Sequence, residues 1–385
     1  MKHTETKPRI RSVAALPLFL AGTLLVLFAV MPTVQAKEAA GARLAVADDY
    51  RDGVRSRLAL PQAVSASQPD AASNTAGSRH YRIPETAVAA PKPNPACYGQ
   101  TDTPADMASV LERAQTVLEG QKLLFSTDVE LLADSNIYYY LDETIFSVVW
   151  KQKIDNSVFT FAETKVMDPS QFRRYLSGGQ FGSGKLTLTS EMSRSVNAIV
   201  GCSADFYAYR PEGVTVVDGV VEKCKKGIKD NCFIDYDGNL ILEQNRLFSN
   251  VEEVQSYVDE NNIQFSLSFG PALVIDGEFC CPKEYRPGEV YYNFPRAAIC
   301  QMDRLHYLYV VSNKETAAPK MLPMMQFAHR VAETGCLQAY AVDGGQTATV
   351  VMNDQVRNHV NYGSERPVSD IIYFATAKSV EEPNP

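Results

Sequence analysis

The sequence has 385 residues, with 37 Lys+Arg against 45 Asp+Glu and a formal net charge of −8. The charge is unevenly spread: residues 1–36 carry four basic side chains and one acidic, residues 37–100 eight and six, which leaves about −13 on residues 101–385. So acidic a balance excludes generic nucleic-acid binding, which needs Lys and Arg to displace counterions. With 45% hydrophobic and 21% charged residues, the composition is that of a globular protein.

Lys2, Lys7, Arg9 and Arg11 precede an uncharged stretch from Ser12 to Ala36, with an apolar centre from Val13 to Val30 and small residues at Val34 and Ala36. This is the pattern of an export signal over residues 1–36. The apolar run is also long enough to span a bilayer, so an uncleaved anchor with its basic end in the cytoplasm is the alternative. Either way the rest of the chain is expected outside the cytoplasm, secreted or held at the membrane by this segment. Residues 37–100 are rich in Ala, Pro, Ser and charge and lack Phe and Trp, so they are expected to form a flexible spacer, stiffened near Pro91, Pro93 and Pro95. Of the eight cysteines, Cys97 lies at the end of this tract and those at 202, 224, 232, 280, 281, 300 and 336 follow it. In an oxidising compartment some should pair, and Cys224 with Cys232 is the expected bridge. No spacing of His and Cys suggests zinc, and no EF-hand-like run suggests calcium. No cofactor is expected.

From Ala105 to Leu124 apolar residues recur at helical spacing, with Asp102 or Thr103 as cap and Gly120 as stop. After Phe125, β-branched and aromatic runs of strand length take over at 137–141, 145–150 and 158–162. Strand signals recur at 198–201, 214–217, 232–234, 240–242, 272–275, 307–311, 339–342, 349–352 and 371–374. Helical patterns interrupt them at 251–261 and 321–334. Many strands, few helices and no strict alternation predict an α+β fold with a mixed, strand-rich sheet core and a few packed helices. One folded region is the simpler division, with residues 101–194 as its N-terminal part.

Several segments suggest chemistry. A strand of small and apolar residues delivers Asp343, followed at once by Gly344, Gly345, Gln346, Thr347 and, after Ala348, Thr349. Glycines permit a tight turn and close ligand approach, and the hydroxyl and amide groups could cradle oxygen-rich groups. The plainer reading is a hairpin turn built on the Asp-Gly pair. Arg296 stands alone in an apolar strand and needs an anion or carboxylate partner. His306 precedes an apolar strand and reads as a packed or surface histidine rather than a catalytic one. Gly182-Ser183-Gly184-Lys185 lacks full Walker spacing, so nucleotide binding is not expected.

With these elements in order the chain resembles the phosphodiester glycosidase family, over about residues 195–375. The matching elements are Ala204-Asp205-Phe206-Tyr207, Gly213 with Val217-Asp218-Gly219, the Gly-Pro-x-Leu-Val-x-Asp-Gly run at 270–277, Pro295 to Cys300, the Leu-Asp-Gly-Gly element, here Val342-Asp343-Gly344-Gly345, and the Glu365-Arg366-x-Val368-Ser369 loop. Phe125 to Tyr175 is similar, less distinctively, to the N-terminal part of bacterial members, many of them labelled exopolysaccharide-related. Departures from the family pattern are Ser203 for Asn, Ala297 for Thr, Cys300 for Gly, Val342 for Leu and Gln346-Thr347 for Gly-Ser.

The resemblance makes residues 195–378 a phosphodiester glycosidase-like domain. It implies hydrolysis of a sugar-1-phosphodiester in envelope or exported polysaccharide, so that the partner is a phosphodiester-linked glycan or sugar phosphate. Asp343 and Asp205 are the implied catalytic carboxylates, one as base for water and the other steadying an oxocarbenium-like centre. Arg296 is the first choice to bind the departing phosphate, Arg210 and Arg366 the next. Gln346, Thr347, Thr349 and Glu365 complete the implied substrate contacts. Asp205 could instead cap a turn, and Glu365 with Arg366 could be a structural ion pair. A non-catalytic glycan-binding or polysaccharide-assembly protein of the same fold is the competing reading.

Overall fold

The computed structural model describes residues 81–228, 230–285, 290–316 and 318–378. The leader and most of the expected spacer lie outside them. Among the described residues no helix is long and apolar enough to cross a membrane.

The central element is a nine-stranded sheet. In spatial order it runs Tyr98–Thr101, Ile137–Leu141, Ile145–Ile154, Ser157–Val166, His306–Asn313, Arg296–Asp303, Gln338–Val342, Ala272–Ile275 and Glu278–Phe279. A five-stranded sheet holds Gln355–Val356, Val350–Met352, Val200–Ser203, Asp370–Phe374 and Phe172–Leu176. Leu240–Glu243, Asn231–Asp235 and Ile263–Leu267 form a third sheet, and Gly213–Val217 with Val220–Lys225 a two-stranded ribbon. Strand pairs among the described residues are antiparallel, so the sheets are not mixed as the sequence suggested. The α+β class stands.

Both faces of the large sheet are buried, which explains why its strands read as continuous apolar runs instead of alternating ones. Ala297, Ile299, Tyr309, Val311, Tyr340 and Val342 pack against Cys202, Ile234, Val350 and Ile372 of the smaller sheets. Ala298, Cys300, Val310 and Ala341 share a second core with Phe327 and Val331 of the helix Met324–Ala332 and Val110 and Val117 of the N-terminal helical turns. The expected helix over 105–124 is shorter and broken, with a 3-10 turn Ala105–Met107 followed by Ala108–Arg113 and Gln115–Leu118. It stops where Glu119 and Gly120 both take positive φ.

Two further expectations change. Residues 81–100 are not spacer: Ile83 and Ala90 are buried against Met192, Val196 and Tyr373, and Tyr98–Thr101 pairs with Ile137–Leu141. The eight cysteines are free thiols. Cys224 and Cys232 lie on strands of different sheets, so the expected bridge does not form.

One buried carboxylate ties the helical turns to the sheet. Glu163 accepts the N–H groups of Leu124 (2.6 Å) and Phe125 (2.9 Å) and lies 2.8 Å from His306 Nε2. His306 is therefore a satisfied core histidine, as its position before an apolar strand suggested. Removing Glu163 would strand three buried polar groups, each costing about 1–3 kcal/mol. Glu163→Ala is expected to lower the unfolding free energy by about 3 kcal/mol in urea titration; a change below about 1 kcal/mol would show that these groups find other partners.

Candidate active site

Asp343 follows the last residue of the strand Gln338–Val342, at the point where the chain leaves the large sheet. It enters a 3-10 turn, Gly345–Thr347, and re-emerges as Val350–Met352 in the five-stranded sheet. The Asp-Gly-Gly element is thus a crossing between sheets, not a hairpin turn. The two glycines serve different needs. A Cβ on Gly344 would sit 2.6 Å from the Pro295 carbonyl oxygen, which only a bare α-carbon tolerates. Gly345 has φ 65° and donates its N–H to the same oxygen at 2.8 Å. The other Asp-Gly pairs behave differently: Asp218-Gly219 and Asp276-Gly277 have positive φ at both residues and close ordinary hairpins.

Asp343 is 6% exposed. Its backbone N–H donates to the Ala204 carbonyl at 3.0 Å, which sets the element before Asp205 beside it. Arg366 Nη2 lies 3.5 Å from Asp343 Oδ2. Burial pushes the Asp343 carboxyl up to about 7; the neighbouring Thr347 hydroxyl and the charges of Arg366 and Arg210 hold it from going higher. Arg366 and Arg210 are themselves held over aromatic rings. Arg366 lies over Phe206 and Tyr209, and Arg210 over Phe206 and Phe269 while donating to the Phe269 carbonyl at 3.2 Å. Glu365 does not pair with Arg366.

Arg296 approaches from the neighbouring strand. Ala297 pairs with Val342, so Arg296 and Asp343 stand next in register on adjacent strands. The Arg296 guanidinium donates to the Tyr292 carbonyl at 2.6 Å and lies over Phe294. Asp343, Asp205, Arg210 and Arg366 therefore gather in one region, although they span more than 160 residues of sequence, and Arg296 adjoins them through its backbone register while its guanidinium is engaged by Tyr292 and Phe294.

Asp205 is more deeply engaged than Asp343. Its carboxylate accepts the N–H groups of Phe206 (2.7 Å) and Ser268 (3.0 Å), and Arg174 Nη2 lies 3.8 Å away. Arg174 also bonds Asp370 Oδ2 at 2.6 Å, the Ser266 carbonyl at 2.6 Å and the Val216 carbonyl at 3.3 Å. Asp370 in turn accepts the Asp205 N–H at 2.9 Å. This Arg174–Asp370–Asp205 cluster was missed in the sequence, because an arginine alternating out of Phe172–Leu176 gives no sign of its partners. Lys223 was also missed. It donates to the carbonyls of Tyr207 and Arg210 and braces the 206–210 turn, and burial lowers its affinity for a proton.

The remaining expected contacts divide. Thr347 donates to the Gly344 carbonyl at 2.6 Å and shapes the turn under Asp343. Gln346, on the rim, donates to the Ser364 carbonyl. Thr349 is buried, and its backbone pairs with Ser203. Glu365 faces away: both its oxygens are taken by Ser190, through the backbone N–H at 3.0 Å and the hydroxyl at 2.5 Å, at the start of the helix Thr189–Ser195. Expected on the substrate, Glu365 instead anchors that helix end.

Three departures from the family pattern lie in the interior. Ser203 is fully buried between Thr349 and Tyr309, and Ala297 and Cys300 belong to the two cores. These substitutions alter packing around the site and leave its charged groups in place.

Residues 195–375 match the family model described as phosphodiester glycosidase. The chain carries a phosphodiester glycosidase domain, and the family is one of hydrolases. Among solved structures it is similar to the catalytic domain of zebrafish N-acetylglucosamine-1-phosphodiester alpha-N-acetylglucosaminidase. That likeness has 16% identity, covers 68% of this chain and 92% of that one, and has a TM-score of 0.50. At that identity it is a likeness of fold. A hypothetical protein from Synechocystis is also similar, at 12% identity over 64% of each chain with a TM-score of 0.45. No curated protein sequence matches significantly.

Two predictions follow from this geometry. Because the Asp343 carboxyl titrates near 7 in the folded protein and near 4 when unfolded, the folded state holds the extra proton between those values. Stability from this group is fully present below pH 4 and is lost as pH rises through about 7. Asp343→Asn should therefore be more stable than the parent at pH 8, by up to about 4 kcal/mol, and should show no such gain at pH 4 when both are melted across pH. The second concerns Arg174. Arg174→Met leaves two buried carboxylates without their cation and is expected to cost about 3–5 kcal/mol in chemical denaturation; Arg174→Met with Asp370→Asn should recover part of the loss.

Proposed function

We propose that this protein is an extracytoplasmic glycosidase that hydrolyses sugar-1-phosphodiester linkages in envelope or exported polysaccharide. The observation that carries the proposal is Asp343, a buried carboxyl pushed up to about 7 beside Arg366 and Arg210, with Arg296 next in register on the adjacent strand. The leader pattern of residues 1–36 supports export, by a cleaved signal or a retained anchor.

In this reading the arginines receive the phosphodiester. A guanidinium fork matches phosphate oxygens, and positive charge fixed where the phosphate departs lowers the barrier to its leaving. An alkyl phosphate is already a good leaving group, so strong acid assistance is not required, and Asp343 acts as the base. Ionised, it takes a proton from water as the water oxygen bonds to the anomeric carbon. The bond from that carbon to the phosphate oxygen breaks, the electron pair leaves with the phosphate, and the products are a free sugar and a phosphomonoester. Asp205, with its oxygens engaged by two backbone N–H groups, positions the 206–210 turn that carries Arg210. Ser203 and Ala297, two of the departures from the family pattern, are both buried packing residues and lend the non-catalytic alternative no support.

The test uses purified full-length protein and a panel of sugar-1-phosphodiesters, with release of reducing sugar as the readout. Turnover is expected, with a rate that rises with pH through about 7. Asp343→Asn should reduce kcat by at least about a thousandfold. Arg366→Gln removes a charge that lowers the Asp343 carboxyl, so the rising limb should move to higher pH. Absence of turnover across the panel, with glycan binding retained, would establish the non-catalytic reading instead.

A further inference from the structure

A cleft of about 480 Å³ opens at some distance from Asp343, between the large sheet and the hairpin Val350–Met352/Gln355–Val356. Its walls include Asn136, Tyr138, Lys151, Glu315, Arg357 and His359, and none of the charged groups around Asp343. The volume is within the range of small-molecule sites, about 300–1,000 Å³. Its chemistry is mixed and close to neutral. Lys151 Nζ bonds Glu315 Oε1 at 3.2 Å, and Arg357 lies 3.8 Å over the Tyr138 ring, giving a flat plate beside hydrogen-bonding groups. Behind the wall, Asn313 donates its amide to Glu315 while its side-chain oxygen, fully buried, has no partner.

The location links this cleft to the catalytic end of the fold. Lys151 pairs with Thr160, Thr160 with Val311, Val311 with Ala297 and Ala297 with Val342, the residue before Asp343. One row of the sheet therefore runs from the cleft to Asp343 across four inter-strand steps, a separation of about 19 Å. On the opposite wall, Arg357 donates its N–H to Val350, and Asn358 holds Val350 N and the Ala348 carbonyl. The cleft wall and the turn after Asp343 are thus parts of one hydrogen-bonded segment.

We propose that this cleft is a second saccharide-binding site, which holds uncharged sugar units of an extended glycan whose phosphodiester lies at Asp343. The inference rests on the proposed hydrolase reading and adds a second place on the protein where the glycan is held, away from the phosphodiester. A near-neutral site offering a flat aromatic–guanidinium plate and convergent polar groups suits pyranose rings, whose faces are apolar and whose edges carry hydroxyls. The arginine-rich surroundings of Asp343 suit the phosphate.

The test compares two diesters on the full-length protein: a methyl sugar-1-phosphodiester, and the same diester carried on a neutral hexasaccharide. The parent is expected to favour the long substrate by at least tenfold in kcat/KM. Lys151→Ala, which removes a polar contact, and Asn136→Trp, which fills the cleft, should each abolish that advantage and leave the methyl diester unchanged. Equal rates on the two substrates, or an advantage that survives both variants, would overturn the proposal. Should neither diester be turned over, the hydrolase reading fails separately, and the cleft is judged by binding of the free hexasaccharide in ligand-observed NMR. Binding lost in both variants supports the site; no binding, or binding unaffected by them, refutes it.

Discussion

The architecture around Asp343 depends on one buried ion cluster. Arg174, on the strand Phe172–Leu176, neutralises Asp370 on the last strand and faces Asp205 on the turn after Val200–Ser203. Its remaining hydrogen bonds go to backbone carbonyls of two further strands. Four parts of the chain, distant in sequence, are thus held by a single guanidinium that is almost wholly out of water. Such a cluster contributes little net stability compared with an apolar substitute, but it penalises every arrangement that leaves a charge unpaired. In this molecule the favoured arrangement presents Phe206 and Arg210 beside Asp343.

The cluster also shows why the family match, at 195–375, does not describe a self-sufficient unit. Arg174 lies before it, and so do the strands Ile145–Ile154 and Ser157–Val166 that cover one flank of the large sheet. Residues 81–100 extend the same dependence towards the N-terminus through Ile83, Ala90 and Tyr98. Composition alone suggested a spacer there, because three or four well-placed apolar residues leave little trace in a tract dominated by Ala, Pro and charge.

Elsewhere the sequence was legible where local physics decides the outcome. Long β-branched runs became strands because both faces of the large sheet are buried, and the Val251–Glu260 helix starts at Asn250, whose side chain caps Glu253 N–H. Asp343 was visible as a carboxylate between a strand and two glycines, though not as a crossing between sheets, since Asp-Gly signals hairpins equally well. Arg296, Arg210 and Arg366 were visible as charges without partners in view. What they do with those charges is set by tertiary neighbours: Arg366 finds Asp343 rather than the adjacent Glu365, which is drawn off by Ser190. Side chains whose meaning comes only from non-local contacts, Arg174 and Lys223 among them, carried no local signal.

The route of the chain through Asp343 has a mechanical consequence. Because Gln338–Val342 belongs to one sheet and Val350–Met352 to another, the intervening turn is a covalent link between two packed layers, as residues 167–171 are between Ser157–Val166 and Phe172–Leu176. Slippage between the layers would be passed to both links. The Asp343 carboxyl sits on one of these links, so a cavity opened in the interlayer core, at a distance from it, would be felt at its position.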